Sequence, residues 1–122
     1  MSAKIEIFGL TDVGRARDHN EDQFSTCLDL EKREWKLVFE ASEIRELNKW
    51  GSLLIVADGM GGTNAGEVAS FEAQKSIREY FEQTHDFPES DKDKKDFLKK
   101  AIVFAHKQVI AYTKSHPECV GM

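Results

Sequence analysis

The stretch Leu53-Leu54-Ile55-Val56-Ala57-Asp58-Gly59-Met60-Gly61-Gly62 joins an apolar run to a glycine-rich turn. Five apolar residues in succession, β-branched at Ile55 and Val56, predict a strand that is buried on both faces. Asp58 follows directly, and the glycines after it allow backbone carbonyls to approach a ligand without interference from a Cβ atom. The stretch therefore predicts a strand that carries an acidic side chain into a candidate binding turn.

A purely structural interpretation of this turn is also open. Asp-Gly is a common pair in two-residue β-hairpins. A simple hairpin needs neither of the two glycines that follow, which favours the binding interpretation. Further along, Asn64 and Glu67 have the spacing of an N-cap residue and its reciprocal partner, so a helix is predicted to begin there.

A second candidate segment lies upstream, at Arg17-Asp18-His19-Asn20-Glu21-Asp22. Glu21 and Asp22 could add oxygen ligands to the same site, although neighbouring strand residues point to opposite faces unless the chain turns there. Arg17 could bind a phosphate through both guanidinium nitrogens. The alternatives are a solvated charge cluster for the two acids and a surface ion pair for the arginine.

The ligand chemistry indicated by these residues is that of a hard cation. Mg²⁺ and Mn²⁺ prefer oxygen ligands, which the Asp58 carboxylate and the Gly59 carbonyl would provide. The spacing Asp18-x-Asn20-x-Asp22 resembles the start of an EF-hand loop, but Gln23 stands where that loop requires glycine. The four histidines show no metal-ligand spacing and are predicted to be surface or helix-edge residues.

Composition limits the remaining functional classes. The chain has 122 residues, of which 40% are hydrophobic and 32% are charged, as expected for a single soluble domain. Its net charge of −5 argues against nucleic-acid or acidic-membrane partners. No apolar run reaches transmembrane length and Met1–Leu10 lacks a signal-peptide core, so we predict a cytoplasmic protein. Cys27 and Cys119 form no zinc or disulfide pattern.

Hydrophobic periodicity predicts strands first and two helices afterwards, which is typical of an α+β layered domain. Strands are predicted at Lys4–Leu10, Gln23–Leu30, Trp35–Phe39 and Ser52–Ala57. One or two helical turns are predicted within Glu40–Lys49, and long helices at Ala65–Glu82 and Lys92–Lys114. The second of these helices is predicted to bury Leu98, Ala101, Ile102, Ala105, Val109 and Tyr112.

Two motifs together resemble those of the metal-dependent protein phosphatases of the PPM (type 2C) family. They are Arg17-x-x-Asn20-Glu21-Asp22 and Val56-Ala57-Asp58-Gly59-Met60-Gly61-Gly62-x-x-Ala65-Gly66-Glu67-Val68-Ala69. With Met60 at its centre, the second motif resembles the form found in the bacterial branch of the family. The resemblance covers most of the chain but only about the first half of the family's catalytic domain. Residues 1–122 are therefore predicted to be the N-terminal part of a single such domain.

The resemblance implies a fold, a cofactor and a reaction. The fold would be an α-β-β-α sandwich, incomplete in this chain, with two Mn²⁺ or Mg²⁺ ions at one end. Asp58 would bridge both ions, and the Gly59 carbonyl would bind one of them. Glu21 and Asp22 would hold metal-bound waters, and Arg17 would bind the substrate phosphate. The implied reaction is attack by a metal-activated water on a phosphoserine or phosphothreonine monoester.

The chain departs from the family pattern in three places. Met60 replaces the histidine of many eukaryotic members, so no general acid is assigned. Residues Glu31–Lys49 form a longer and more polar segment than the usual hairpin, and we predict a surface excursion anchored by Trp35, Phe39 and Trp50. The aspartates that complete the metal site belong to the second half of the family's domain.

Two expectations follow from this incompleteness. The chain alone should bind metal weakly and be inactive, and its open sheet edges should favour self-association. The alternative function is a non-catalytic binding or assembly module built on half of a phosphatase fold.

Overall fold

The computed structural model describes residues 3–61 and 65–122, which form a small α+β domain with two sheets and two long helices. The strands are β1 (Lys4–Ile7), β2 (Asp22–Cys27), β3 (Trp35–Lys36), β4 (Glu43–Glu46) and β5 (Leu53–Asp58). The helices are α1 (Ala65–Glu82) and α2 (Asp91–Ser115), followed by a 3₁₀ turn at Pro117–Cys119. No helix in the described ranges is long and apolar enough to cross a membrane.

The β2–β5 ladder is the centre of the larger sheet, whose strand order is β3-β2-β5 with antiparallel pairing. Its register runs from Asp22 opposite Asp58 to Cys27 opposite Leu53. Ser25 and Cys27 point towards α1, since Ser25 hydrogen-bonds Gln74 and Cys27 packs in a cluster with Phe81. Helix α1 therefore covers one face of this ladder.

The other face of β5 is open, so the prediction of a strand buried on both faces is wrong. Ile55 is 8% exposed, whereas Leu54 and Val56 are 55% and 80% exposed. These two side chains border a groove of about 360 Å³ that the Phe8–Asp12 segment also lines. An apolar run predicts a strand, but its composition does not determine whether a second layer covers each face.

The smaller sheet corrects a second prediction. Strands β1 and β4 pair antiparallel, with Lys4 opposite Glu46 and Ile7 opposite Glu43. The helical turns predicted within Glu40–Lys49 are therefore wrong. Their basis was the spacing of Ile44 and Leu47, but Ile44 is exposed and the backbone is satisfied by pairing with β1. The predicted strands Lys4–Leu10, Gln23–Leu30 and Trp35–Phe39 are also shorter in the structure.

The Glu31–Lys49 segment is held by specific contacts despite its polar composition. Phe39 is buried in a cluster with Ile7 and Leu28. Just before the segment, the buried Asp29 carboxylate accepts hydrogen bonds from the backbone of residues 31 and 32 and from the Asn48 amide, at 3.0, 3.2 and 2.7 Å. Trp35 and Trp50 pack against the main core, in agreement with their predicted anchoring role.

Helix α1 has the predicted bounds, while the predicted N-cap residue Asn64 lies outside the described residues. Its C-terminal carbonyls are satisfied by Arg33, which donates to the carbonyls of Phe81 and Glu82 at 3.0 and 2.9 Å. Arg33 itself has a positive φ of 54°. The end of α1 is therefore fixed by a residue 48 positions earlier in the chain.

Helix α2 extends one residue beyond its predicted range at each end and begins at a Ser90 cap, whose hydroxyl accepts from the Asp93 N–H at 3.1 Å. Ala101 and Ala105 are buried as predicted, but Leu98 and Ile102 are exposed, so that part of the prediction is wrong. The side towards α1 is set by aromatic packing of Phe97 and Phe104 on Tyr80. Helix α2 carries a second apolar stripe that α1 does not cover.

Candidate functional site

Asp22 and Asp58 lie directly opposite each other at the end of the β2–β5 ladder. Cross-strand partners of an antiparallel pair point to the same face, so the register places the two carboxyl groups side by side. Both residues are exposed. Like charges opposite each other destabilise a sheet, and such a pair therefore indicates a role other than stability.

The electrostatics of the pair agree with this geometry. Partial desolvation between the strands, the Asp58 charge and a hydrogen bond between the two carboxyl groups raise the pKa of Asp22. Arg17 opposes this shift, and Glu21 adds to it. Two adjacent carboxyl groups at an exposed strand end provide a favourable position for a cation.

Glu21 occupies a separate position, between the Asp58-Gly59 turn and the first turn of α1. The Gly59 N–H donates to the Glu21 carbonyl at 3.1 Å, which extends the ladder by one residue. A Cβ atom at Gly66 would overlap the Glu21 carboxylate, and one at Gly59 would overlap the Gly66 carbonyl. Two glycines therefore allow the strand end, the helix start and the Glu21 side chain to approach closely.

Arg17 and His19 surround the Glu21 carboxylate. Arg17 Nη1 lies 3.5 Å from Glu21 Oε1, and the Arg17 side chain is 70% exposed. His19 Nε2 lies 3.6 Å from the same oxygen and 3.9 Å from Oε1 of Glu67 on α1. A protonated His19 would thus link the upstream loop to the helix, while most of the Arg17 guanidinium remains accessible.

The loop before β2 is fixed by a short hydrogen-bond chain. Asn20 donates through Nδ2 to the Thr11 hydroxyl at 2.7 Å and accepts from the Asp22 N–H at 3.0 Å. The Thr11 hydroxyl donates to the Asp22 carbonyl at 3.2 Å. This chain holds the backbone on both sides of Asp22 and so restricts the position of its carboxylate.

The predicted site residues thus divide into two neighbouring groups. Asp22 and Asp58 share one face of the ladder, with Gly59 next in the chain. Arg17 and Glu21 contact each other beside α1. Within residues 3–61 and 65–122, no group of three or more His, Cys, Asp or Glu side chains is arranged to hold a metal ion.

Sequence inspection missed the contributions of three residues. Gly66 has no assigned role in the sequence prediction, although a glycine in the first turn of a helix costs about 1 kcal/mol relative to alanine and so indicates a close approach. His19 was predicted to be a surface or helix-edge residue without a role, and it lies partly exposed beside two glutamates. The hydrogen bonds of Thr11 have no signal in the sequence. They join Thr11 to Asn20 and to Asp22, which follow it by 9 and 11 positions, across a loop.

This arrangement of an acidic pair at a strand end, a glycine turn and a following helix defines a candidate metal centre. Three curated proteins, each called "Serine/threonine phosphatase stp", are similar to the chain. The one from Listeria welshimeri is 32% identical, and those from Listeria monocytogenes and Listeria innocua are each 31% identical, over 112 residues. Each match covers 92% of this chain and 37% of the relative.

These matches show that the chain belongs to the bacterial PPM-type phosphatases, as a partial region of one. The chain spans little more than a third of the length of these relatives. No protein-family model matches the sequence, and no solved structure gives a significant match.

Proposed function

We propose that the protein is a metal-dependent serine/threonine phosphatase that hydrolyses phosphomonoesters of protein substrates. The observation that carries the proposal is the Asp22–Asp58 pair, placed in register at the end of the ladder and directly before Gly59. The names of the bacterial relatives support the same activity. Phosphoserine and phosphothreonine proteins are the proposed substrates, with no nucleic-acid or membrane partner.

The donor set fits a hard divalent cation. Asp22 and Asp58 offer carboxylate oxygens on one face, and desolvation together with the facing Asp58 charge raises the pKa of Asp22. With the Gly59 carbonyl, these residues would hold Mn²⁺ or Mg²⁺, two ions in a complete site. When bound, such ions lower the pKa of a water nucleophile and neutralise charge that develops on the phosphoryl oxygens. Water molecules and residues outside the described part of the chain would supply the remaining ligands.

The remaining site residues have proposed roles in binding and orientation. Arg17 would hold the substrate phosphate, because its guanidinium is 70% exposed and has only one weak contact, with Glu21. Glu21, placed by Gly66 and Gly59, would orient water next to the metal ligands. Met60 is 75% exposed and offers no proton, so no general acid is assigned.

Residues 1–122 are proposed to be the N-terminal part of one phosphatase domain of the layered α-β-β-α type. On that basis the chain alone should bind metal weakly, be inactive and self-associate. The exposed Leu54 and Val56 and the groove beside them support self-association, since β5 is the last strand of its sheet in the described part of the chain. A cytoplasmic location remains a prediction.

The competing proposal is a non-catalytic phosphatase-like module that binds or assembles with a partner. The incomplete ligand set of the described residues favours it for the chain alone. Phosphopeptide hydrolysis should be measured with Mn²⁺ and Mg²⁺ for the 122-residue chain and for the longest natural form of the protein. The phosphatase proposal predicts metal-dependent turnover by the longest form, abolished by Asp58→Asn. If the longest form shows no metal-dependent turnover, or if that turnover survives in Asp58→Asn, the binding module would be favoured.

A further inference from the structure

A basic groove that the phosphatase site does not use lies along α2, at the edge of its contact with Tyr80 of α1. Its walls and floor are Tyr80, Lys99, Lys100, Val103, Phe104 and Lys107, and its volume is about 370 Å³. Val103 is 51% exposed. Three lysines therefore line a groove whose apolar residues include the half-exposed Val103.

The charge of this region is opposite to that of the rest of the chain. Between residues 97 and 115, α2 has four lysines and no acidic residue, whereas the whole chain has 22 acids and 17 bases. Lys36, Lys49 and Lys75 each form an ion pair with a glutamate. Among the described residues, Lys99, Lys100 and Lys107 form none. Lys100 also borders a neighbouring groove with Asp86, Asp93 and Asp96, whereas no acidic side chain lines the groove of Lys99 and Lys107. In an acidic protein, such a cluster of lysines is a specific local feature.

We propose that this groove binds an acidic segment of a protein partner, with one apolar side chain seated on Val103 and Phe104. Carboxylates on either side of that side chain would pair with Lys99, Lys100 and Lys107. Charge complementarity accelerates encounter and selects the partner, while burial of the apolar side chain supplies affinity. The groove lies on α2, whereas Asp22 and Asp58 lie at the end of the β2–β5 ladder, so this surface can be occupied independently of the phosphatase site.

The probe is a fluorescein-labelled synthetic peptide that carries one phenylalanine between two pairs of glutamates. Its binding to the 122-residue chain is measured by fluorescence anisotropy at low and moderate salt. The triple variant Lys99→Glu/Lys100→Glu/Lys107→Glu should weaken binding at least about tenfold, because attraction becomes repulsion. The matched control Lys32→Glu/Lys92→Glu/Lys95→Glu changes the net charge equally outside the groove and should have a much smaller effect.

Two further variants distinguish a seated side chain from a diffuse charge effect. Val103→Ser, and a peptide with serine in place of phenylalanine, should each weaken binding several-fold with an unchanged salt dependence. Circular dichroism establishes that each variant is folded. Equal loss in the two triple variants, or indifference to the phenylalanine, would overturn the proposal. It would also be overturned by tighter binding to anionic phosphatidylserine vesicles than to the peptide, or by self-association that the groove variant alone abolishes.

Discussion

The two ends of the β2–β5 ladder differ in charge, burial and packing. At one end Asp22 faces Asp58, both exposed, beside a turn that depends on Gly59 and Gly66. At the other end Cys27 faces Leu53, and Cys27 is fully buried in a cluster with Phe81. Burial raises the pKa of the Cys27 thiol to about 11, so it stays neutral.

In this pair of strands, the residues that stabilise the fold and the residues of the proposed site therefore lie at opposite ends. The Cys27 end contributes apolar burial and aromatic contacts. The Asp22 end places like charges together and has no apolar compensation in the described residues, so the core end must hold the pair in register. Removing a charge at the Asp22 end should therefore change stability in the opposite direction to removing an apolar side chain at the Cys27 end.

The largest expected effect is at the core end. Phe81→Ala removes a side chain that is 5% exposed and should lower the free energy of unfolding by about 3–5 kcal/mol. Phe71→Ala, on the same helix but 44% exposed, is the matched control and should cost much less. Urea unfolding gives both values. Similar losses for the two variants would show that the aromatic cluster is not the stabilising end of the ladder.

The next effect concerns the close approach at the site end. Gly66→Ala should cost about 1–3 kcal/mol, because the new methyl group overlaps the Glu21 carboxylate. In a Glu21→Ala background the same change should cost little or even stabilise the chain, since alanine favours a helix by about 1 kcal/mol over glycine. A double-mutant cycle of Gly66→Ala and Glu21→Ala measures the interaction between the two positions. Additive costs would contradict the placement of Glu21 by Gly66.

Asp58→Asn should have the opposite sign to the core variants in metal-free buffer. Removing one of two facing charges should raise the melting temperature slightly. Because the pKa of Asp22 is raised in the folded chain, its contribution to stability is fully present below the ordinary aspartate pKa and is lost as pH rises through the raised value. The gain in Asp58→Asn should therefore grow from acid to neutral pH. A melting temperature lowered at all pH values would identify Asp58 as a structural residue.

The smallest effect on stability is expected for Arg17→Ala. The side chain is 70% exposed and its one contact, with Glu21, is 3.5 Å long, so the melting temperature should change by no more than a few degrees. In the longest natural form of the protein, Arg17→Ala should raise KM for a phosphopeptide. Arg17→Lys keeps the charge without the planar fork and should recover only part of the loss. Normal kinetics with a large loss of stability would contradict the proposed role in substrate binding.

The sequence predicted the strand–turn–helix segment well because its signals are local. The apolar run, the Asp-Gly turn and the α1 periodicity each depend on neighbouring residues, and β5 and α1 lie where they were expected. It predicted Asp58 and Asp22 as candidates, but their face-to-face placement depends on strand register, which no local pattern specifies.

The wrong predictions depend on contacts between segments that are distant in the sequence. They concern which strands pair and which apolar surfaces another element covers. Within Glu40–Lys49, residues Glu43–Glu46 form β4 by pairing with β1, about 40 residues away in the chain. Leu54, Val56, Leu98 and Ile102 are apolar yet exposed, since α1 covers only one side of the ladder and one side of α2. Residue type alone could not separate these positions from buried ones.

The most direct test of the proposed metal centre is to locate Mn²⁺ on the chain by nuclear magnetic resonance. Paramagnetic Mn²⁺, titrated against a Mg²⁺ reference, broadens amide signals near its binding position and suits weak binding. The proposal predicts broadening centred on Asp22, Asp58 and Gly59, lost in Asp58→Asn and kept in the control Asp18→Asn. Broadening centred elsewhere, or unchanged in Asp58→Asn, would contradict the assignment of the Asp22–Asp58 pair as the metal site.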